Sequence, residues 1–221
     1  MQITGALPYL SSLDLTRGVL TPGRRKATHL SDLADYFADR AAVAARLAAG
    51  DDPVVYEVYV GEMPQERAGA TAGAAAGASE GASAGVSTAL GPGQISFGTT
   101  VIHPGDVAGE FYMTRGHFHS LTDRDEVYLG LAGRGLLLME DREGRFAVVE
   151  MGPGALAYVP GAFAHRTVNT GEEDFVFLAL YPADGGHDYG SIRERGFSRR
   201  VFAVPAADGG GRTAVLRAVG G

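Results

Sequence analysis

Residues 114–128 read Thr-Arg-Gly-His-Phe-His-Ser-Leu-Thr-Asp-Arg-Asp-Glu-Val-Tyr, and residues 158–169 read Tyr-Val-Pro-Gly-Ala-Phe-Ala-His-Arg-Thr-Val-Asn. On an extended strand, positions i and i+2 share a face. His117 and His119 therefore point from one wall. Glu126 follows at the head of the apolar run Glu126-Val127-Tyr128-Leu129, and His165 sits in the second stretch. A His-x-His pair alone is more often a packing or surface feature. Gly116 before it, a carboxylate after it and a third imidazole further on make an ordered set. Three imidazoles and one carboxylate suit a single divalent ion such as Fe, Ni, Mn or Zn, with positions left for water or substrate oxygens.

Around these stretches the pattern is strongly β. Short runs rich in Val, Leu, Phe and Tyr recur at 95–102, 109–114, 126–131, 135–140, 145–151, 155–159, 164–169 and 175–181. Turns such as Gly133-Arg134-Gly135 and Gly152-Pro153-Gly154 separate them. Many short strands at this spacing predict an all-β sandwich or barrel. A further strand is expected over 53–60.

The expected organisation is an N-terminal arm with a helix over 1–52, a β-barrel over 53–204 and a peripheral tail over 205–221. The helix is expected to start at Ser31 as N-cap and to carry Leu33, Phe37, Val43 and Leu47 on its apolar stripe, with Gly50 and Pro53 as the stop. The basic run Arg24-Arg25-Lys26 reads as a solvated surface run. Residues 64–94 are mostly Ala, Gly, Ser and Thr. Such a stretch buries too little apolar surface to offset its ordering entropy and reads as a loop insert between two strands.

Composition excludes some chemistry. The 221-residue chain has no cysteine, so disulfides, thiolate metal sites and cysteine nucleophiles are ruled out. Its formal net charge is −7, which argues against general nucleic-acid binding. No signal peptide or membrane-spanning run is read, and the expected location is the cytoplasm. His103, beside a turn, and His29 read as structural or surface residues.

The two stretches resemble the two-motif pattern of the cupin superfamily: Gly116-His117-Phe118-His119, Glu126 and Gly130, then Gly152-Pro153-Gly154, Tyr158-Val159-Pro160, His165 and Asn169. The likeness goes further. Residues 114–128, 158–169, Asp52 to Tyr59, and Tyr181-Pro182-Ala183-Asp184 followed by Gly186-His187-Asp188-Tyr189-Gly190 are similar to the cupin-type phosphoglucose isomerases. The resemblance covers roughly 24–60 and 95–202. It implies a cupin jelly-roll β-barrel with a helix-containing N-terminal arm, a homodimer, one divalent metal ion per subunit, and glucose 6-phosphate and fructose 6-phosphate as substrates. It implies His117, His119, Glu126 and His165 as metal ligands. Tyr56, Thr100, Thr114, Gly116 and Tyr181 are implied to hold phosphate, and Tyr128, His187 and Tyr189 to lie near the sugar. Hydroxyls and a backbone N–H can hold phosphate without a large basic cluster. Two departures stand out: the 64–94 insert, and Gly161-Ala162-Phe163 where the family often has proline and an aromatic.

Aldose–ketose isomerisation moves hydrogen between C1 and C2. One route removes the C2 proton through a cis-enediolate, with Glu126 as base. The other is a metal-assisted hydride shift. Tyr128, His187 and Tyr189 would move protons among hydroxyls. Two other functions fit the same scaffold: a metal cupin dioxygenase, distinguished by oxygen uptake, and a non-catalytic sugar-phosphate-binding module, distinguished by binding without turnover.

Overall fold

The computed structural model describes residues 10–61, 93–207 and 211–219. Up to residue 92, the insert expected at 64–94 lies outside them. In chain order the elements are β1 (Ser12–Leu13), β2 (Leu20–Thr21), β3 (Gly23–His29), α1 (Arg40–Ala48), β4 (Val54–Gly61), β5 (Ile95–Ile102), β6 (Asp106–Val107), β7 (Glu110–Phe111), β8 (Glu126–Ala132), β9 (Gly135–Glu140), β10 (Phe146–Met151), β11 (Leu156–Val159), β12 (Ala164–Asn169), β13 (Phe175–Pro182), α2 (Gly190–Arg195), β14 (Arg199–Pro205) and β15 (Arg212–Ala218).

The architecture is all-β and of the jelly-roll kind. A six-stranded sheet of order β11-β8-β13-β5-β4-β3 forms one side. A three-stranded sheet, β10-β9-β12, extends through bridges from β12 to Met113 and His117. A four-stranded sheet, β15-β14-β7-β6, continues it. All named pairings are antiparallel. Phe111, Phe118, Leu137, Val168, Phe175 and Phe177, drawn from several of these strands, share one buried cluster.

The strands expected from the apolar runs form with bounds within a residue or two, except that 109–114 yields only the short β7. Six others fall outside the expected runs: the two-residue β1, β2 and β6, and the longer β3, β14 and β15. β3 is Gly-Arg-Arg-Lys-Ala-Thr-His, and it is one of the two edge strands of the main sheet. β14 is Arg-Arg-Val-Phe-Ala-Val-Pro, and β15 pairs with it over its whole length.

The helix begins later than expected. Ser31–Leu33 is a single 3-10 turn, and the Ser31 hydroxyl donates to Asp52 instead of capping a helix. Asp39 takes the cap, accepting from Ala42 N–H at 2.8 Å. Val43 is the buried residue of α1, and the chain leaves it through Gly50 at φ +78.

The two motifs meet at a backbone contact. Gly130 N–H donates to Ala155 O at 2.8 Å and Gly154 N–H donates to Gly130 O at 2.9 Å. A side chain at Gly130 would place its Cβ 2.0 Å from Gly152 O. That close approach locks β8, which carries Glu126, to the turn before β11.

Candidate metal centre and cavity

The four proposed ligands come from three places. Glu126 opens β8, His165 lies in β12, and His117 and His119 lie in the segment that runs beside β12. His117 and His165 exchange backbone hydrogen bonds of 3.3 and 3.1 Å, which sets their rings side by side with centroids 4.4 Å apart. One donor atom from each of His117, His119, Glu126 and His165 lies within 4.8 Å of the others.

Neighbouring carbonyls orient two of the rings. His119 Nδ1 lies against Arg124 O, and His165 Nδ1 lies 3.3 Å from Phe163 O. An Nδ1–H donated outward leaves the Nε2 lone pair facing the cluster, the usual preparation of a metal-ligating imidazole. His119 Nε2 meets Glu126 Oε1, and His165 Nε2 lies 3.7 Å from the same oxygen. The Nε2 atoms of His117 and His165 are buried with no hydrogen-bond partner among the described residues. Buried polar atoms are rarely left so, and a metal ion would satisfy both. The residues present therefore fit a divalent ion.

The charges agree. Burial, with neighbouring imidazoles adding to it, drives His117 well below the ordinary histidine range. Burial also lowers His165 against the opposing pull of Glu126. Burial would lower His119 as well, but its contacts with Glu126 prevail and raise it. For Glu126 burial acts upward, yet the hydrogen bond with His119 and the nearby imidazoles hold it below its usual value. Neutral His117 and His165 and an ionised Glu126 are in the forms that ligate metal, whereas the raised His119 would give up its proton to an incoming ion.

The cluster forms one end of a cavity of about 330 Å³. Strand parity builds the long wall. Lys26 and Thr28 of β3, Tyr56 of β4, Thr100 of β5, Tyr181 of β13 and Tyr128 of β8 all line it, together with Phe177 and Ala179. Thr114, Gly116 and Thr167 line it from the other sheet. Every residue that the resemblance assigned to phosphate or sugar thus borders one space. Burial keeps the Tyr56, Tyr128 and Tyr181 phenols protonated, since each is raised, Tyr128 well above its usual value.

His187 and Tyr189 reach the same space because Asp188 between them is fixed. Asp188 and Phe118 exchange backbone hydrogen bonds of 2.8 and 3.1 Å, and the Asp188 carboxylate accepts from Ser191 N–H and hydroxyl at the start of α2. The flanking rings stack with 12° between planes, and His187 sits 4.3 Å from the His117 ring. Burial, against the opposing Glu126 charge, lowers His187 to about 4, so its imidazole is neutral at pH 7.

Several lining residues escaped the sequence reading. Lys26, which the sequence groups with Arg24 and Arg25 as a solvated run, is half-buried in the cavity wall. Arg115 and Thr28 line the cavity too. Lys26 shares a face with Thr28, two positions on, and opposes Val58, which in turn opposes Thr100. The sequence holds that signal only once the register of β3 is known.

The glucose-6-phosphate isomerase family model matches residues 26–206. The chain belongs to the glucose-6-phosphate isomerase family. Similar curated proteins bear that name. The protein of Thermococcus kodakarensis is 44% identical over 195 residues, 88% of this chain and 89% of its own length. That of Pyrococcus furiosus is 41% identical over the same shares. A bacterial relative from Sinorhizobium medicae is 36% identical over 92% of this chain and 83% of its own. Among solved structures, an oxalate decarboxylase overlaps 60% of this chain and 27% of its own at 19% identity with a TM-score of 0.40, too loose an overlap to inform the chemistry.

Proposed function

We propose that the protein is a metal-dependent aldose–ketose isomerase that interconverts glucose 6-phosphate and fructose 6-phosphate. One observation carries the reading: a four-donor His/Glu cluster and a wall of hydroxyls and cations share one cavity of about 330 Å³ in a member of this family. That volume lies at the small end of ordinary ligand pockets, which suits a monosaccharide phosphate.

His117, His119, Glu126 and His165 would hold one divalent ion, Fe, Ni, Mn or Zn. Bound there, it supplies Lewis-acid polarisation of substrate oxygens. The chain's own groups do the rest. Tyr56, Thr100, Thr114, Tyr181 and the Gly116 N–H donate to phosphate, and Lys26 and Arg115 add charge at that end. The ionised Glu126 carboxylate is the base for the enediol route. Neutral His187, stacked on Tyr189 and lining the same cavity as Tyr128, moves protons among the sugar hydroxyls and O1 in either route.

The protein is proposed to act as a homodimer in the cytoplasm, where its phosphorylated substrates are found. Leu156 and Tyr158 on β11 are 72% and 61% exposed, and Val148 and Val149 on β10 are exposed as well. Apolar residues on the edge strands of two sheets favour pairing with another copy. Light scattering would read the mass.

The functional test is conversion of fructose 6-phosphate by chelator-stripped protein, repeated with each metal and read by coupled formation of glucose 6-phosphate. Turnover that returns only with metal supports the isomerase. Sugar-phosphate binding without turnover under any metal replaces it with a binding module.

A further inference from the structure

Arg166 is 3% exposed and makes no ion pair with a carboxylate among the described residues. Its guanidinium packs 4.8 Å from the Phe197 ring centroid. The side chain's only hydrogen-bond acceptor among the described residues is one carbonyl, Arg115 O, which it reaches from Nε at 3.2 Å and from a terminal nitrogen at 2.6 Å. Burying an arginine charge is costly unless something specific requires it.

The backbone beside it has an irregularity that supplies the reason. Thr114 N–H donates to Thr167 O, and His117 N–H donates to His165 O. Two residues, Arg115 and Gly116, therefore stand opposite the single Arg166. This is a bulge, with its glycine at φ +73. The bulge removes the Arg115–Gly116 peptide from the ladder. Its carbonyl would be an unsatisfied buried acceptor without Arg166. That peptide is trans, so its N–H points away from its carbonyl. Gly116 lines the cavity, and its N–H has no partner among the described residues.

We infer that Arg166 is a positioning residue: its fork holds the Arg115 carbonyl on the buried side of the bulge and so aims the Gly116 N–H at the anionic end of the substrate. The inference rests on the sugar-phosphate reading of this cavity. It adds that the donor is aimed by a side chain that never touches substrate. A fork donating to the carbonyl also polarises the peptide and strengthens its N–H as a donor.

The test uses Arg166→Met, which keeps bulk and removes the donors, and Arg166→Lys, which keeps charge and one donor. Thermal melting and bound metal are measured for each. KM and kcat for fructose 6-phosphate are read on the metal-loaded enzyme. Affinity for inorganic phosphate is read by calorimetry with and without metal, which needs no turnover. The expected result for Arg166→Met is about a tenfold rise in KM and a similar loss of phosphate affinity, with kcat within about threefold and metal content unchanged. Arg166→Lys falls between Met and wild type. If the methionine variant does not fold, the lysine variant decides alone, with an expected weakening of about threefold. Folded variants that bind phosphate and substrate as wild type does overturn the inference. So does a loss confined to kcat or to metal content. A wild type without isomerase activity whose phosphate binding still depends on Arg166 would sink the isomerase reading and leave the positioning role standing.

Discussion

Glu126 Oε1 lies against His119 Nε2 and 3.7 Å from His165 Nε2, so one carboxylate oxygen faces two imidazoles across a buried gap. His165 Nε2 has no hydrogen-bond partner among the described residues. The cluster is assembled from β8, β12 and the segment beside β12, and removing a donor should weaken metal retention before it weakens the fold. His165→Ala is expected to lower metal affinity about a hundredfold or more and to abolish turnover at ordinary metal concentrations, with the melting temperature of the metal-free protein within a few degrees of wild type. Metal analysis after dialysis, together with melting in chelator, checks this. Full metal retention by the variant would remove His165 from the ligand set.

Lys26 separates a charge role from a structural one. It is half-buried and lies near Arg115, and its ammonium makes no hydrogen bond or ion pair among the described residues. Burial lowers its pKa, and the Arg115 charge lowers it further against the pull of Asp32. Two cations on one cavity wall repel until an anion joins them. Lys26→Met is expected to raise KM for fructose 6-phosphate about tenfold, leave kcat nearly unchanged, and leave stability unchanged or slightly improved. A steady-state comparison in which KM stays put while kcat falls would place Lys26 elsewhere in the reaction.

Gly130 tests the joint between the motifs. A Cβ there would sit 2.0 Å from Gly152 O, a backbone atom that cannot swing away. Both peptide groups of Gly130 are also committed to residues 154 and 155. Gly130→Ala is expected to cost about 3 kcal/mol or more, and it should displace Glu126 at the head of the same strand. Calorimetric melting would show a drop of roughly 6–12 °C. A wild-type melting curve would mean that the turn at Gly152 relaxes freely.

These contrasts show what a sequence can and cannot carry. The strands from β8 to β13 were legible because each alternates or runs apolar between turns. The His/Glu cluster was legible because His117 and His119 share parity, and Glu126 and His165 follow in order. β3 was not, because its inward residues face a polar cavity, and a polar wall has no apolar period to read. The helix start was misplaced because Ser31 finds Asp52, a partner across the chain that local pattern does not reveal. Arg166 and Lys26 needed the register itself, since their meaning lies in what stands opposite.

The same Asp52 gives a prediction about pH. Its carboxylate accepts from Ser31 N–H and from the Ser31 hydroxyl, each at 2.8 Å, and so ties the turn after β3 to the strand entering β4. Those hydrogen bonds, the backbone one first, hold its pKa below the ordinary 3.8. A group depressed in the folded state binds fewer protons there than when unfolded. Its contribution is therefore complete above the unfolded value near 3.8 and is lost as pH falls through the lower folded value. Asp52→Asn keeps the shape and removes the charge. It should melt a few degrees below wild type at pH 7, and the gap should close as pH falls through the lowered folded value. Melting temperatures of both proteins across pH 2–7 decide the matter. A gap that persists at pH 2 would mean that the asparagine disturbs packing, and that the charge on Asp52 is not what holds the turn.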